Sequence, residues 1–183
     1  IVGRQVEISR KDKKSFGKVD SAFLKDNTDV YDVTFNTEKS IKIKIEVDTR
    51  PPQKFRTEQK LLILPHSFMT RCFVLPDLFA GKMHALVYRN WKNRVKGREW
   101  YDFEWYERHN VPLDFSHLAE RIFQFDNEIV TKDMFMAQLK EKLSSANINQ
   151  VKDDVIPFVK NVKELDILSN EYFVQLADMI RFE

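Results

Sequence analysis

The sequence predicts an α+β protein, with strands in residues 1–75 and helices in residues 76–183. The first observation is the regular alternation of apolar and charged residues in Ile41–Asp48, which is typical of a strand with one buried face. The second is the pair of prolines that follows it. The third is the helical spacing of apolar residues after Leu75. We therefore expect two domains with a boundary between residues 75 and 76, the second a helical bundle.

In the first domain, β-branched and aromatic residues in short runs between polar turns predict strands. The predicted strands are Val2–Ser9, Val30–Asn36, Ile41–Asp48, Lys60–Leu64 and Cys72–Leu75. Val30–Asn36 and Ile41–Asp48 are separated by a short polar turn, so we expect them to form an antiparallel hairpin. Lys18–Lys25 has a short helical pattern instead.

In the second domain, capping residues and helix breakers separate the apolar repeats into helices. Pro76 and Asp77 are suited to the first turn of the first helix, because proline tolerates that position and a carboxylate favours the positive end of the helix dipole. The second predicted helix is rich in aromatic residues, which is more typical of a packed face than of a surface that stacks nucleic-acid bases. The predicted helices span residues 76–90, 98–109, 114–125, 131–145, 148–160 and 170–182.

Bulk composition narrows the cellular setting. Charged residues make up 32% of the chain, which suits a folded protein, and the net charge of +2 is too small to imply nucleic-acid binding by itself. The single cysteine, Cys72, excludes an internal disulfide and favours a reducing compartment. No apolar run is long enough for a membrane span. These observations predict a cytoplasmic protein without a membrane partner.

Several common catalytic classes are excluded by their missing motifs. The chain has only four glycines and contains no Walker loop, dinucleotide-binding fingerprint or G-x-S-x-G elbow. Its four histidines show no zinc-ligand spacing.

The distribution of charge around residues 78–98 indicates a phosphate site. This segment contains six Lys or Arg residues and no Asp or Glu, and acidic residues dominate after it. A cluster of cations facing a cluster of carboxylates can hold a phosphate-bearing substrate together with its metal.

Lys82 is the first candidate, in the middle of an otherwise apolar helix. It shares a helical face with Ala85, Leu86 and Arg89. One interpretation is a lysine at the edge of the core that extends its charge to water. The other is a cation fixed on a rigid helix to neutralise phosphate charge. Spacing alone leaves both open.

Glu99 and Asp102 share a face of the next helix. One interpretation is that Asp102 forms an intrahelical ion pair with Arg98, four residues earlier, worth only about 0.3–0.5 kcal/mol. The other is that Asp102 faces Lys82 across the two helices, so that one side chain orients the other.

Glu46 and Asp48 lie on one face of a predicted strand, about 7 Å apart. Magnesium prefers a few carboxylates together with substrate phosphates, so this pair could contribute to a metal site. Carboxylates on the wet face of an edge hairpin are also common without any ligand.

Three segments in this order resemble the AbiEii/AbiGii toxin family of nucleotidyltransferases. The strand IKIEVDTR is followed by a helix that resembles A-x-K-x-x-A-L-x-x-R, at residues 80–89, and then by a segment that resembles R-D-x-x-D-L, at residues 98–103. In the second segment Glu99 replaces the usual first aspartate. The similarity covers roughly Val2 to Asn110, and the helical tail more loosely.

The resemblance implies a polymerase β-like nucleotidyltransferase fold and a toxin of an abortive-infection or toxin–antitoxin pair. It implies transfer of a nucleotide from an NTP, in some relatives onto tRNA, with Mg²⁺ as cofactor and an antitoxin as a partner. Lys82 would contact the nucleotide phosphates, Asp102 would be the late aspartate needed for activity, and Glu46 would lie beside the metal, with Asp48 as its neighbour. Arg89, Arg98 and Glu99 would contribute to substrate binding.

One family feature is missing from the sequence. The family places a glycine turn followed by an acidic pair near its N-terminus, and neither Gly3 nor Gly17 is followed by such a pair. We therefore expect the chain to be the C-terminal portion of a longer enzyme, inactive alone. The alternatives are a non-catalytic module that binds nucleotide, RNA or an antitoxin, and a helical interaction domain whose charges are only surface.

Overall fold

Residues 6–10, 19–27, 40–64, 66–89 and 95–183 are described in a computed structural model of the chain. The chain divides into two compact units, residues 1–51 and residues 52–183. Strands in the first unit and a hairpin followed by helices in the second confirm the α+β class.

The first unit contains a three-stranded antiparallel sheet in the order β1-β2-β3. The strands are β1 (Val6–Arg10), β2 (Val19–Asn27) and β3 (Ser40–Asp48). The alternating segment predicted as a strand is therefore β3. It pairs along its whole length with β2, from Asn27 opposite Ser40 to Val19 opposite Asp48.

The prediction of a helix over Lys18–Lys25 was wrong, because these residues belong almost entirely to β2. β2 lies between β1 and β3 and forms backbone ladders with both, so pairing across the sheet outweighs a weak local helical pattern. The other predicted strand, Val30–Asn36, lies outside the described residues. Among those described, the antiparallel partner of β3 is β2.

The second unit begins with an antiparallel hairpin of β4 (Thr57–Leu62) and β5 (Phe68–Phe73). Thr57 lies opposite Phe73, and the backbone N–H of Val74 donates to the carbonyl of Arg56 at 3.3 Å. The hairpin therefore delivers the chain directly into the first helix.

Four of the six helices in the described residues begin at a residue whose side chain caps them. Asp114, Thr131, Asn147 and Ser169 each accept a hydrogen bond from a backbone N–H of the following turn. The helices are α1 (Leu75–Tyr88), α2 (Gly97–Arg108), α3 (Phe115–Asp126), α4 (Lys132–Ser145), α5 (Ile148–Val155) and α6 (Asn170–Ala177).

Two helices end earlier than their periodicity predicts. α5 gives way to a 3₁₀ turn at Ile156–Phe158, because Pro157 has no backbone N–H to continue the α-helical hydrogen bonds. α6 ends at Ala177, because the last residues extend to pair with Leu113. The N–H of Leu113 donates to the carbonyl of Arg181 at 2.7 Å, and the N–H of Glu183 donates back to Leu113.

α1 lies at the centre of the helical core, packed against α2, α3 and α4. Phe79 and Met83 of α1 are fully buried, as are Phe103 of α2 and Ile122 of α3. Trp100 and Tyr106 are also buried, so the aromatic face of α2 belongs mainly to the core as predicted. Among the described residues, no helix combines the length and apolarity needed to cross a membrane.

Two glycines provide a matched test of this packing. A Cβ at Gly97 would overlap the backbone carbonyl of Val151, whereas one at Gly81 would make ordinary contact with Arg121 at 3.8 Å. We expect Gly97→Ala to destabilise the fold by about 2–3 kcal/mol, because backbone cannot yield as a side chain can. Gly81→Ala should stabilise α1 by roughly 0.5–1 kcal/mol.

Urea denaturation of both variants measures these changes in the free energy of unfolding. A Gly97→Ala variant as stable as the wild-type chain would contradict the close approach of α2 to α5.

Candidate functional site

An ion pair joins α1 to α2 at the surface of the helical core. The Lys82 Nζ atom lies 2.6 Å from Asp102 Oδ2 and 3.9 Å from Glu99 Oε2. Lys82 and Asp102 are partly exposed, with 42% and 36% of their side chains accessible, whereas Glu99 is only 11% accessible. The contact between Lys82 and Asp102 is the cross-helix contact that the sequence left open.

Aromatic packing beneath the surface determines this contact. Phe79 of α1 stacks on Tyr106 of α2, with ring centroids 4.6 Å apart and planes 5° from parallel. Lys82 follows Phe79 by about one turn, and Asp102 precedes Tyr106 by about one turn. Because the two helices run antiparallel, these steps bring Lys82 opposite Asp102. The charge of Asp102 also acts with burial to raise the pKa of Tyr106.

The alternative in which Arg98 pairs with Asp102 is wrong. The Nε atom of Arg98 lies 3.7 Å from Asp154 Oδ2, and its guanidinium lies 4.9 Å from the ring centroid of Phe158. Arg98 therefore points toward α5 and the turn after it, because α2 and α5 pack together there.

Lys82 and Glu99 separate two cavities. The first, which we call the α1–α3 cavity, has a volume of about 280 Å³. The second, which we call the α2–α5 cavity, has a volume of about 380 Å³. Besides Lys82 and Glu99, the first is lined by Phe73, Asp77, Leu78, Gly81, Ala85, Arg89, His117 and Arg121. The second is lined by Lys96, Arg98, Tyr101, Asp102, Val155 and Phe158.

The family model described as nucleotidyl transferase AbiEii toxin, type IV TA system, matches residues 3–175, nearly the whole chain. The chain belongs to this family. A comparison with curated proteins and one with solved structures found no match. Membership of the AbiEii family confirms the resemblance given above, and it supports nucleotidyl transfer and a toxin–antitoxin setting at the level of the family.

In this AbiEii-family chain the predicted substrate-binding residues lie in different cavities. Arg89 lines the α1–α3 cavity, Arg98 the α2–α5 cavity, and Glu99 lines both. One Glu99 carboxylate oxygen, Oε2, is buried without a hydrogen-bond partner and lies 3.9 Å from the Lys82 ammonium. The functional roles of these residues stay predictions.

Arg121 of α3 is a cavity residue that the sequence did not reveal. Its guanidinium faces Gly81 of α1 and lines the α1–α3 cavity with Lys82 and Arg89. In the sequence it is one arginine in an ordinary amphipathic helix, outside every quoted motif. Only the packing of α3 on α1 brings it to the cavity.

Glu46 and Asp48 lie two residues apart on β3, opposite Ser21 and Val19 of β2, and both are exposed. Asp48 Oδ1 accepts a hydrogen bond from the backbone N–H of Arg50 at 2.9 Å. Alternate residues share one face of a strand, so the two carboxylates are on the same side of β3. Two exposed carboxylates fit the oxygen ligands that Mg²⁺ uses together with phosphates and water.

A second acidic group in the AbiEii-family chain has the spacing of a metal site, and a guanidinium lies among its carboxylates. The carboxylates of Asp77, Asp114 and Glu183 have oxygens within 4.8 Å of one another. The guanidinium of Arg56 contacts all three, at 2.7 Å from Asp77 and 3.0 Å from Asp114. The backbone N–H of Arg56 also donates to Asp77, and hydrogen bonds to Asp77 and Glu183 raise the pKa of the guanidinium. We call this group the Arg56 clamp, in which one guanidinium is shared by three carboxylates.

The Arg56 clamp should be structural. Asp77 and Asp114 are buried, so we expect Arg56→Gln to leave them without a counter-ion and to lower the free energy of unfolding by about 1–3 kcal/mol. Lys60→Gln is the control, because Lys60 pairs with Glu58 at 3.0 Å on an exposed hairpin.

Thermal and urea unfolding at neutral pH compare the two variants. Equal stability of Arg56→Gln and Lys60→Gln would contradict a structural role for the clamp.

Proposed function

We propose that this AbiEii-family chain contributes the nucleotide-binding residues of a magnesium-dependent nucleotidyl transfer from an NTP to an acceptor such as tRNA. The observation that carries the proposal is the ion pair of Lys82 with Asp102 at the edge of two cavities. Membership of a nucleotidyltransferase family supports the reaction class.

Lys82 is suited to the phosphates of the donor. Its ammonium has three N–H donors, and one suffices for Asp102, so the others can reach phosphate oxygens in an adjoining cavity. Phosphoryl-type transfer is catalysed mainly by positioning and by stabilising negative charge. A lysine held on a buried helix supplies both.

Asp102 acts on Lys82 as a positioning residue. A long lysine side chain loses considerable rotamer freedom when it is fixed, and the ion pair reduces that loss before the nucleotide binds. Asp102 itself lines the α2–α5 cavity, on the side of Lys82 away from Arg121.

Glu46 and Asp48 are the residues that we propose for Mg²⁺. When bound, the metal neutralises the phosphates and activates the attacking oxygen. The two side chains offer hard oxygen ligands on one face of β3, as described above. Glu46→Gln or Asp48→Asn would remove one negative charge while preserving the shape of the side chain.

The acceptor is proposed to contact the basic segment from Arg89 to Arg98. Residues 90–94 lie outside the described residues, but Lys96 and Arg98 line the α2–α5 cavity beside Asp102. Contacts of Lys and Arg with nucleic-acid phosphates would make acceptor binding weaker as salt increases. An antitoxin partner and a cytoplasmic location complete the proposal, in keeping with the toxin–antitoxin setting of the family.

The transfer reaction gives the direct test. In the full-length product of the reading frame that encodes this chain, we expect Lys82→Ala and Asp102→Ala each to lower transfer of radiolabelled nucleotide to tRNA at least 100-fold. The reason is that loss of a positioned charge at a phosphoryl-transfer site costs several kcal/mol.

The matched controls are Lys140→Ala and Asp178→Ala, because these residues form another exposed ion pair, between α4 and the end of α6. Both controls should keep wild-type transfer, and circular dichroism should show that all four variants are folded. Wild-type transfer by Lys82→Ala would overturn the proposal. Nucleotide or RNA binding without any transfer in the wild-type protein would favour the non-catalytic binding module.

A further inference from the structure

The α1–α3 cavity contains more positive charge than the family motifs account for. Lys82, Arg89 and Arg121 line it, and the carboxylates in its lining are Asp77 and Glu99. Asp77 also pairs with Arg56 in the clamp, 2.7 Å away, and Lys82 pairs with Asp102 of the α2–α5 cavity at 2.6 Å. Three cations and two carboxylates therefore share the lining of the α1–α3 cavity.

The cavity follows the length of α1. Leu78, Gly81 and Ala85 succeed one another along this helix at intervals of three or four residues, and Arg89 follows directly after its end. From Gly81 to Arg89 this row of residues runs about 12 Å. Gly81 leaves space in front of the Arg121 guanidinium, which a larger side chain would fill.

The charges of the two arginines also act on a neighbouring buried histidine. His84 is 4% exposed, its Nε2 atom lies 2.8 Å from Asp126 Oδ2, and burial lowers its pKa. The positive charges of Arg121 and Arg89 lower that pKa further, although Asp126 raises it. Both guanidinium groups therefore act within one region of the fold.

We propose that the α1–α3 cavity binds the triphosphate of the donor nucleotide, with Arg121 of α3 as a phosphate ligand beside Lys82 and Arg89. This inference rests on the proposed function and adds a residue and a location to it. The cavity volume of about 280 Å³ lies near the lower limit for ligand pockets, which suits a phosphate chain rather than an entire nucleotide. Guanidinium groups bind phosphate oxygens in a bidentate manner, and an elongated row of cations matches an elongated polyanion.

Inorganic tripolyphosphate is the probe that separates phosphate binding from transfer. By calorimetry, the full-length protein should bind tripolyphosphate more tightly than inorganic phosphate, and Arg121→Gln should weaken tripolyphosphate binding at least tenfold. Gly81→Leu should weaken it as well, because the new side chain fills the cavity without changing any charge. Arg108→Gln is the control, since Arg108 is an exposed arginine of α2 that pairs with Glu104 outside the cavity.

His84 provides a second measurement by NMR. Tripolyphosphate should raise the pKa of His84 in the wild-type protein, because a bound polyanion offsets the charges of Arg89 and Arg121. In the Arg121→Gln variant without the probe, the pKa of His84 should be higher than in the wild-type protein, because one positive charge is gone. Adding tripolyphosphate should then change this pKa less than it does in the wild-type protein. An unchanged His84 titration in the wild-type protein at saturating tripolyphosphate would place the anion elsewhere and overturn the inference.

The outcomes distinguish this inference from the proposed function. If Arg121→Gln and Gly81→Leu bind tripolyphosphate like the wild-type protein while Lys82→Ala loses transfer, the inference falls and the proposed function stands. If Arg121→Gln and Gly81→Leu no longer bind tripolyphosphate while Lys82→Ala still transfers nucleotide, the cavity is an anion site and the proposed function is wrong.

Discussion

The stacking of Phe79 on Tyr106 holds α1 against α2, and the position of the candidate site depends on it. Phe79 is fully buried and also faces Phe103, 6.2 Å away, so neither helix can slide without opening the core. One turn from this stack, Lys82 meets Asp102. A solvent-facing ion pair is weak by itself, but here its geometry is determined by apolar packing beneath it.

The Arg56 clamp supports the same arrangement from the other end of α1. Asp77 belongs to the first turn of α1 and Asp114 caps α3, so a single guanidinium joins the beginnings of both helices. Glu183 also pairs with this guanidinium, and the C-terminal residues are held beside α3 by the parallel bridge between Phe182 and Leu113. The α1–α3 cavity is lined by residues of both helices, and Asp77 of the clamp belongs to its lining.

Periodicity predicted the helices within a few residues, because they have apolar stripes and α3, α4, α5 and α6 begin at capping side chains. Periodicity predicted a helix where the chain forms β2, because the conformation of β2 comes from backbone pairing with two other strands. Motif spacing left the contact of Lys82 with Asp102 as one of two interpretations, because only the packing of one aromatic face decides between them. It could not predict Arg121, because no local pattern records that α3 packs beside Gly81.

The central claim is that Lys82 and Asp102 act as one unit in nucleotidyl transfer. A double-mutant cycle on kcat/KM of the full-length protein tests this most directly. If Asp102 works through Lys82, the double variant Lys82→Ala with Asp102→Ala should be no less active than the Lys82→Ala variant, because the second substitution removes nothing further. Losses that add, so that the double variant falls by the product of the two single effects, would show that the residues act independently and would contradict the claim.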